Sequence, residues 1–173
     1  EIPNSVTKIG NYVFYGCASL TNIVIPDSVT TLGTGVFEGC TGLKTLVLGN
    51  GLTEIKEGLL SGCSALENLT IPFVGNNVTE TTASRSTLFG YIFGTASFDG
   101  GTETKQYYTS DSYETYYIPT SLKSVTVLTG NILYGAFYNC SGLTSITISN
   151  GVTRIGKNAF SSCSRLGEIT LPF

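Results

Sequence analysis

Apolar residues fall along this chain in a short phrase that returns six times. Leu20, Leu43, Leu66, Leu122, Leu143 and Leu166 open the segments LTNIVI, LKTLVL, LENLTI, LKSVTV, LTSITI and LGEITL, whose first, fourth and sixth positions are always Leu, Ile or Val. The last two anchors alternate with polar or β-branched residues, as in a half-buried strand. Three residues before five of these leucines stands a cysteine; Cys17, Cys40 and Cys63 are 23 apart, as are Cys140 and Cys163. A parallel neighbour 23 residues on must be reached by a crossover. The phrases SVTKIGNYVFYGC, SVTTLGTGVFEGC and GVTRIGKNAFSSC, each ending in an aromatic–x–Gly–Cys or related corner, supply it. One such coil cannot bury its own apolar edge, so coils stack and equivalent residues form ladders about 4.8 Å apart. Proline after Ile25, Ile71 and Leu171 cannot donate to a ladder and ends the strand there. Phe14, Phe37, Phe137 and Phe160 are expected to fill the opposite wall of the core.

The interval from Cys63 to Cys140 is 77 residues, which equals one coil of 23, one of 21 and an insertion of 33. Residues 74–87 (VGNNVTETTASRST) read as a polar loop. LFGYIFG (88–94) restores the register, with Leu88, Ile92 and Phe93 matching Ile132, Ala136 and Phe137, and Ala96 in the place of the cysteine. Next, TKQYY and YETYYIP flank TSDS and predict a β-hairpin with a four-residue loop. Residues 74–119 are thus an enlarged fourth coil within one domain spanning 1–173. ITLPF (169–173) mirrors LTIPF (69–73), which leads into the insertion. The chain therefore reads as a segment of a longer polypeptide that continues with another enlarged coil.

The phrase IPDSVTTLGTGVFEGCTGLKTLVL (25–48) and its copies resemble the leucine-rich repeat superfamily, and more closely its BspA-like branch of bacterial and protozoan cell-surface proteins. The expected fold is an α/β repeat: a right-handed solenoid of about six coils, with one parallel strand per coil, short helical or irregular crossovers and one inserted hairpin. The handedness follows from the resemblance alone. The resemblance also implies export to the cell surface and adhesion to host matrix proteins or other cells for some members, and it brings no catalytic residues.

Composition narrows the chemistry. A net charge of −3 and pI near 4.9 give no footprint for nucleic acid. No apolar run approaches the ~18 residues of a membrane span. Histidine is absent, which removes the commonest general base and metal ligand. The five cysteines share one column with side chains pointing the same way, so a ladder of small buried thiols is expected rather than disulfides or a metal site. Gly33-Thr34-Gly35 with Gly39 has the wrong spacing for a dinucleotide loop. Glu54, Glu57, Glu67, Asp99, Glu103, Asp111 and Glu114 show no common spacing that would pair two of them for glycoside hydrolysis. Asp99-Gly100-Gly101 and Asp111-Ser112 lack the EF-hand pattern. No cofactor is expected.

Two surfaces remain for recognition. Outward strand positions stack into columns: Asn22, Thr45, Asn68 with Ser124, Ser145 and Glu168, and Val24, Val47, Thr70, Thr126, Thr147 with Thr170. They make a flat, hydroxyl-rich face. The hairpin carries Tyr107, Tyr108, Tyr113, Tyr116 and Tyr117, and tyrosine offers rigid contact area with a hydroxyl at low entropic cost. Strand alternation sends some of these inward to pack and others outward. The expected function is non-enzymatic binding of a host or bacterial surface protein or glycan outside the cell, cell-surface or secreted. A structural spacer that presents another domain is the alternative, and a carbohydrate-active enzyme module rests only on the scattered carboxylates.

Overall fold

The computed structural model describes residues 1–172. Ten strands occur in chain order: β1 (Lys8–Ile9), β2 (Asn22–Ile25), β3 (Thr31–Leu32), β4 (Thr45–Leu48), β5 (Asn68–Ile71), β6 (Gly101–Tyr107), β7 (Tyr113–Pro119), β8 (Ser124–Ile132), β9 (Ser145–Ile155) and β10 (Glu168–Thr170). Six of them form one parallel sheet in the order β10-β9-β8-β5-β4-β2. Together they wind a parallel-strand solenoid of about seven turns. The repeat sets the register: Asn22 pairs with Thr45, Thr45 with Asn68, Asn68 with Ser124, Ser124 with Ser145, and Ser145 with Glu168. The inward anchors of the middle coils, such as Leu46, Leu69, Val125 and Ile146, are buried in a single core. No helix among the described residues is long and apolar enough to cross a membrane.

The crossovers are irregular rather than helical, and the backbone shows why. Each regular crossover holds a left-handed residue five positions before the cysteine (Tyr12, Gly35, Gly58, Gly135, Asn158) and another one position before it (Gly16, Gly39, Gly62, Asn139, Ser162). A right-handed helix cannot run through such residues. They instead close tight turns, as where the Cys40 amide donates to Phe37 O at 3.1 Å. Glycine at the second position also lets corners stack closely: a Cβ on Gly62 would lie 3.3 Å from Gly39 Cα. Between coils, crossover amides donate to the next coil, Phe14 N to Val36 O (3.0 Å) and Phe137 N to Ala159 O (2.7 Å), and the rings follow. Phe14 stacks on Phe37 at 5.5 Å and Phe137 on Phe160 at 5.4 Å.

The fourth coil departs from this pattern. Its crossover contains two 3₁₀ turns, Arg85–Thr87 and Phe89–Ile92. Toward the third coil the sequence register holds, with Leu60 N donating to Ile92 O at 2.9 Å and so placing Phe93 in the aromatic position. Toward the fifth coil the expected match of Phe93 with Phe137 is replaced by a slip of four residues. Phe89 N donates to Ala136 O (2.7 Å), and the Phe89 ring stacks on Phe137 at 4.7 Å. The 3₁₀ turn is the physical cause, since it adds one turn of chain between two aromatic rungs. Phe173, the last residue of the ITLPF phrase from which a further enlarged coil is expected, lies outside the described residues.

Candidate recognition surfaces

The hairpin forms with the expected strands and loop. β6 and β7 are antiparallel, from Gly101 opposite Pro119 to Tyr107 opposite Tyr113. Tyr108 N donates to Ser112 O (3.0 Å), and Thr109 Oγ1 accepts from Ser112 N (2.9 Å), closing the TSDS loop. Alternation then divides the side chains. Thr104, Gln106, Tyr116 and Ile118 face the solenoid and are buried; Glu103, Lys105, Tyr107, Tyr113, Thr115 and Tyr117 take the other parity.

The inward side chains rebuild what the fourth coil lacks. Gln106 Oε1 accepts from Gly90 N (2.7 Å), while its Nε2 donates to Tyr138 O (2.9 Å) and Ala136 O (3.3 Å). Ala136 O also receives Phe89 N, but Tyr138 O lacks the backbone amide of the preceding coil that its counterpart has, as where Glu38 O receives Gly16 N at 2.8 Å. The Gln106 carboxamide thus stands in for a peptide group. Tyr116 is fully buried against Gly90, where a Cβ would overlap its ring, and its hydroxyl donates to Arg85 O at 2.7 Å. Burial pushes the Tyr116 hydroxyl pKa well up. Arg85 bridges Glu57 (2.8 Å) and Glu114 (2.9 Å), tying the third crossover, the insertion and the hairpin together. Tyr116 is therefore corrected from the candidate ligand set to the core, because no part of its ring reaches solvent.

The outward side chains gather differently. Lys105 Nζ lies 3.6 Å from the Tyr113 ring centroid and 5.2 Å from that of Tyr107. The Tyr107 ring is 5.5 Å from Tyr113 and 5.1 Å from Tyr138, which the sequence did not single out. Tyr113 is 49% exposed, Tyr108 sits half-buried at the loop entrance, and the Tyr117 hydroxyl donates to Glu103 at 3.4 Å. Beyond the hairpin, the strand columns are in register as the repeat requires. Asn22, Val24 and Asn68 are exposed, Val24 by 59%, while Thr45, Val47, Thr70, Thr126 and Thr147 are half-buried among their ladder neighbours. Lys44 and Glu67 pair across two coils at 3.7 Å. The hairpin packs on the crossovers, at Gly90, Gly94, Gly135, Tyr138 and Asn139, so its tyrosines and the strand columns form two separate surfaces.

The thiols of Cys40, Cys63, Cys140 and Cys163 are parts of the frame, whereas Cys17, expected in the same buried ladder, is exposed because no coil among the described residues covers the first one. All five cysteines are free. Cys40, Cys63 and Cys163 each donate to the carbonyl of the preceding coil's Phe, at 3.0, 3.2 and 3.1 Å. Burial pushes the Cys63 thiol up to about 12 and Cys163 to about 11, far from the thiolate that nucleophilic or metal chemistry needs.

Six copies of the BspA type leucine-rich repeat region match residues 1–93 and 103–173. The chain belongs to the BspA-type leucine-rich repeat family. Among solved structures it is similar to a leucine-rich repeat protein of T. pallidum, with 24% identity, 96% of this chain and 53% of that one covered, and a TM-score of 0.41. It is also similar to a leucine-rich cell surface protein of Faecalibacterium prausnitzii, with 25% identity, 98% and 30% covered, and a TM-score of 0.43. A leucine-rich repeat protein of Eubacterium ventriosum gives 24% identity, 99% and 37% covered, and 0.48. The chain spans about half the length of these structures or less. No curated protein sequence matches it significantly. Within this BspA-type solenoid, the residues that sequence reasoning passed over are Gln106, Arg85, Lys105 and Tyr138. Their roles come from pairing across elements distant in the chain, and only the inward parity of Gln106 follows from the hairpin register.

Proposed function

We propose that this BspA-type solenoid is a non-enzymatic binding module of a bacterial surface protein, working outside the cell. It engages a surface protein or glycan through the outward face of the hairpin, and secondarily through the hydroxyl-rich strand face. One observation carries the reading. The hairpin's packing needs are met by Gln106, Tyr116 and Ile118, yet Lys105, Tyr107, Tyr113 and Tyr138 still converge on the opposite face. Aromatic rings with a neighbouring ammonium suit recognition of sugar C–H faces or of protein side chains, and such clusters are favoured at interfaces. Leucine-rich repeat proteins are generally interaction modules without catalytic activity, which agrees with a chain that has no histidine.

The test is a screen of the purified chain against glycan arrays, matrix proteins and mucins, repeated with the double variant Tyr107→Ser/Tyr113→Ser. Binding that falls at least tenfold in the variant, at unchanged thermal stability, supports the reading. Binding that persists in the variant, or silence across all three panels, contradicts it. The spacer reading draws on one specific observation, the single buried core that joins the coils from Ile9 to Ala159 and would make a stiff rod. It predicts silence in the same screen.

A further inference from the structure

Beneath the hairpin, on the side away from its outward tyrosines, lies a cleft of about 300 Å³. Its origin is a missing corner. In the second coil, a Cβ on Gly42 would run into Ala18 O, because the first coil's corner stacks directly against it. The equivalent Gly142 in the fifth coil would meet only Leu122 O at 3.7 Å. The fourth coil reaches its strand through the hairpin and never lays a corner on Cys140-Ser141-Gly142. Gln106 closes the inner part of the gap, and the rest stays open.

The lining dictates what fits. Ile118, Leu122 and Leu143 form an apolar floor. On the hairpin wall the hydroxyl protons are already committed. Thr120 Oγ1 donates to Gly100 O (2.9 Å), so Thr102 Oγ1 is the donor in its 3.0 Å contact with Thr120 Oγ1, and Thr104 Oγ1 donates to Thr102 O (3.0 Å). Asn139 Nδ2 spends one of its two N–H groups on Lys105 O (2.7 Å), and its Oδ1 is an acceptor. This wall therefore offers lone pairs and asks for donors. The opposite wall brings Ser141, Ser164 and Arg165, a donor-rich side with a positive charge. A ligand matched to both walls carries several hydroxyls on one edge and an anionic group on the other, around a compact ring whose C–H face meets the floor. The volume is at the lower end of ligand sites and suits a single ring.

We propose that this cleft is a binding site for an acidic monosaccharide, its hydroxyls donating to Thr102, Thr104 and Asn139 and its carboxylate facing Arg165. The proposal goes beyond the reading above, because Tyr107, Tyr113 and Tyr117 do not line the cleft. The source of the sugar is either the free acid or the end of a glycan chain.

The test is titration of the isotope-labelled chain with sodium glucuronate, with glucose as the neutral control and a glucuronate-terminated disaccharide as the glycan arm, read by amide chemical shifts. Glucuronate is expected to move resonances around Thr104, Ser141 and Ser164 with an affinity in the range of about 1 mM. Arg165→Gln weakens it about tenfold, as loss of a charged hydrogen bond does, without altering the response to glucose. Gly142→Leu fills the cleft at a position with room for a side chain and abolishes binding at unchanged thermal stability. Disaccharide binding as tight as the free acid identifies a glycan end; binding of the free acid alone identifies a soluble ligand. No shifts at roughly 50 mM glucuronate, or shifts that survive Gly142→Leu, overturn the proposal. Loss of Tyr107 and Tyr113 leaves this titration unchanged, so its outcome is independent of the hairpin surface.

Discussion

The second and fourth coils solve one structural problem by two routes. In the second, repetition does the work. Phe37 stacks on Phe14, Gly39 meets Gly16 and Gly62 on its two sides, and thiol-to-carbonyl hydrogen bonds link Cys40 to Phe14 O and Cys63 to Phe37 O. In the fourth, the corner is missing and side chains from a hairpin substitute for it: a carboxamide for a peptide group, a tyrosine ring for the packed corner, and an arginine with two carboxylates as the clasp. The comparison teaches that a solenoid accommodates a large insertion where side chains partner backbone groups left open by the break, as Gln106 does for Tyr138 O and Gly90 N. Leaving such buried groups unpaired costs about 1–3 kcal/mol each. It also separates two roles within one hairpin. The inward face belongs to the fold and the outward face is available to a partner.

The contrast breaks most severely at Tyr116. Tyr116→Ala removes a fully buried ring and the hydroxyl that holds Arg85 O, and it is expected to destabilise the chain by about 3–5 kcal/mol in denaturant unfolding. Tyr113→Ser, three residues away on the opposite face, is expected to stay within about 0.5 kcal/mol of wild type. Equal effects would erase the division between faces.

A smaller effect sharpens the other side of the comparison, because the middle coils bury Cys40, Cys63 and Cys140, while Ala96, expected in the cysteine column of the fourth coil, lies exposed. Burial raises Cys63 from its ordinary 9.0 to about 12, so the folded state disfavours the thiolate relative to the unfolded chain. The stability this confers is fully present below about pH 9 and is lost as pH rises from there toward 12. Cys63→Ala removes that dependence, so wild type loses stability relative to the variant between pH 8 and pH 11. A constant difference across that range would show the Cys63 thiol to be open to solvent.

The regular coils were legible because each anchor has the same neighbours one repeat away. Leu46 against Leu69, or Thr45 against Asn68, is a matter of counting 23. The hairpin was legible too, from its alternation and its loop. The interior of the fourth coil was not. Aromatic spacing in LFGYIFG offers both Phe89 and Phe93 for one rung, and only the 3₁₀ turn reveals that each serves a different neighbour. Gln106 gives no apolar signal at a buried position, since its burial rests on hydrogen bonds to carbonyls 30 and 32 residues away. The strand columns could be placed but their role could not, because Thr and Val suit a sheet surface whether or not anything binds there.

Gln106 replaces a peptide group in the ladder. Amide hydrogen exchange at Gly90 tests it most directly, because that amide has the Gln106 side chain as its acceptor. Gly90 should exchange as slowly as Phe137, whose amide is bound within the regular ladder, and should become fast in Gln106→Leu while Phe137 stays protected. Exchange of Gly90 as rapid as that of Ser110 in the exposed hairpin loop, or protection undiminished in the variant, would contradict the account.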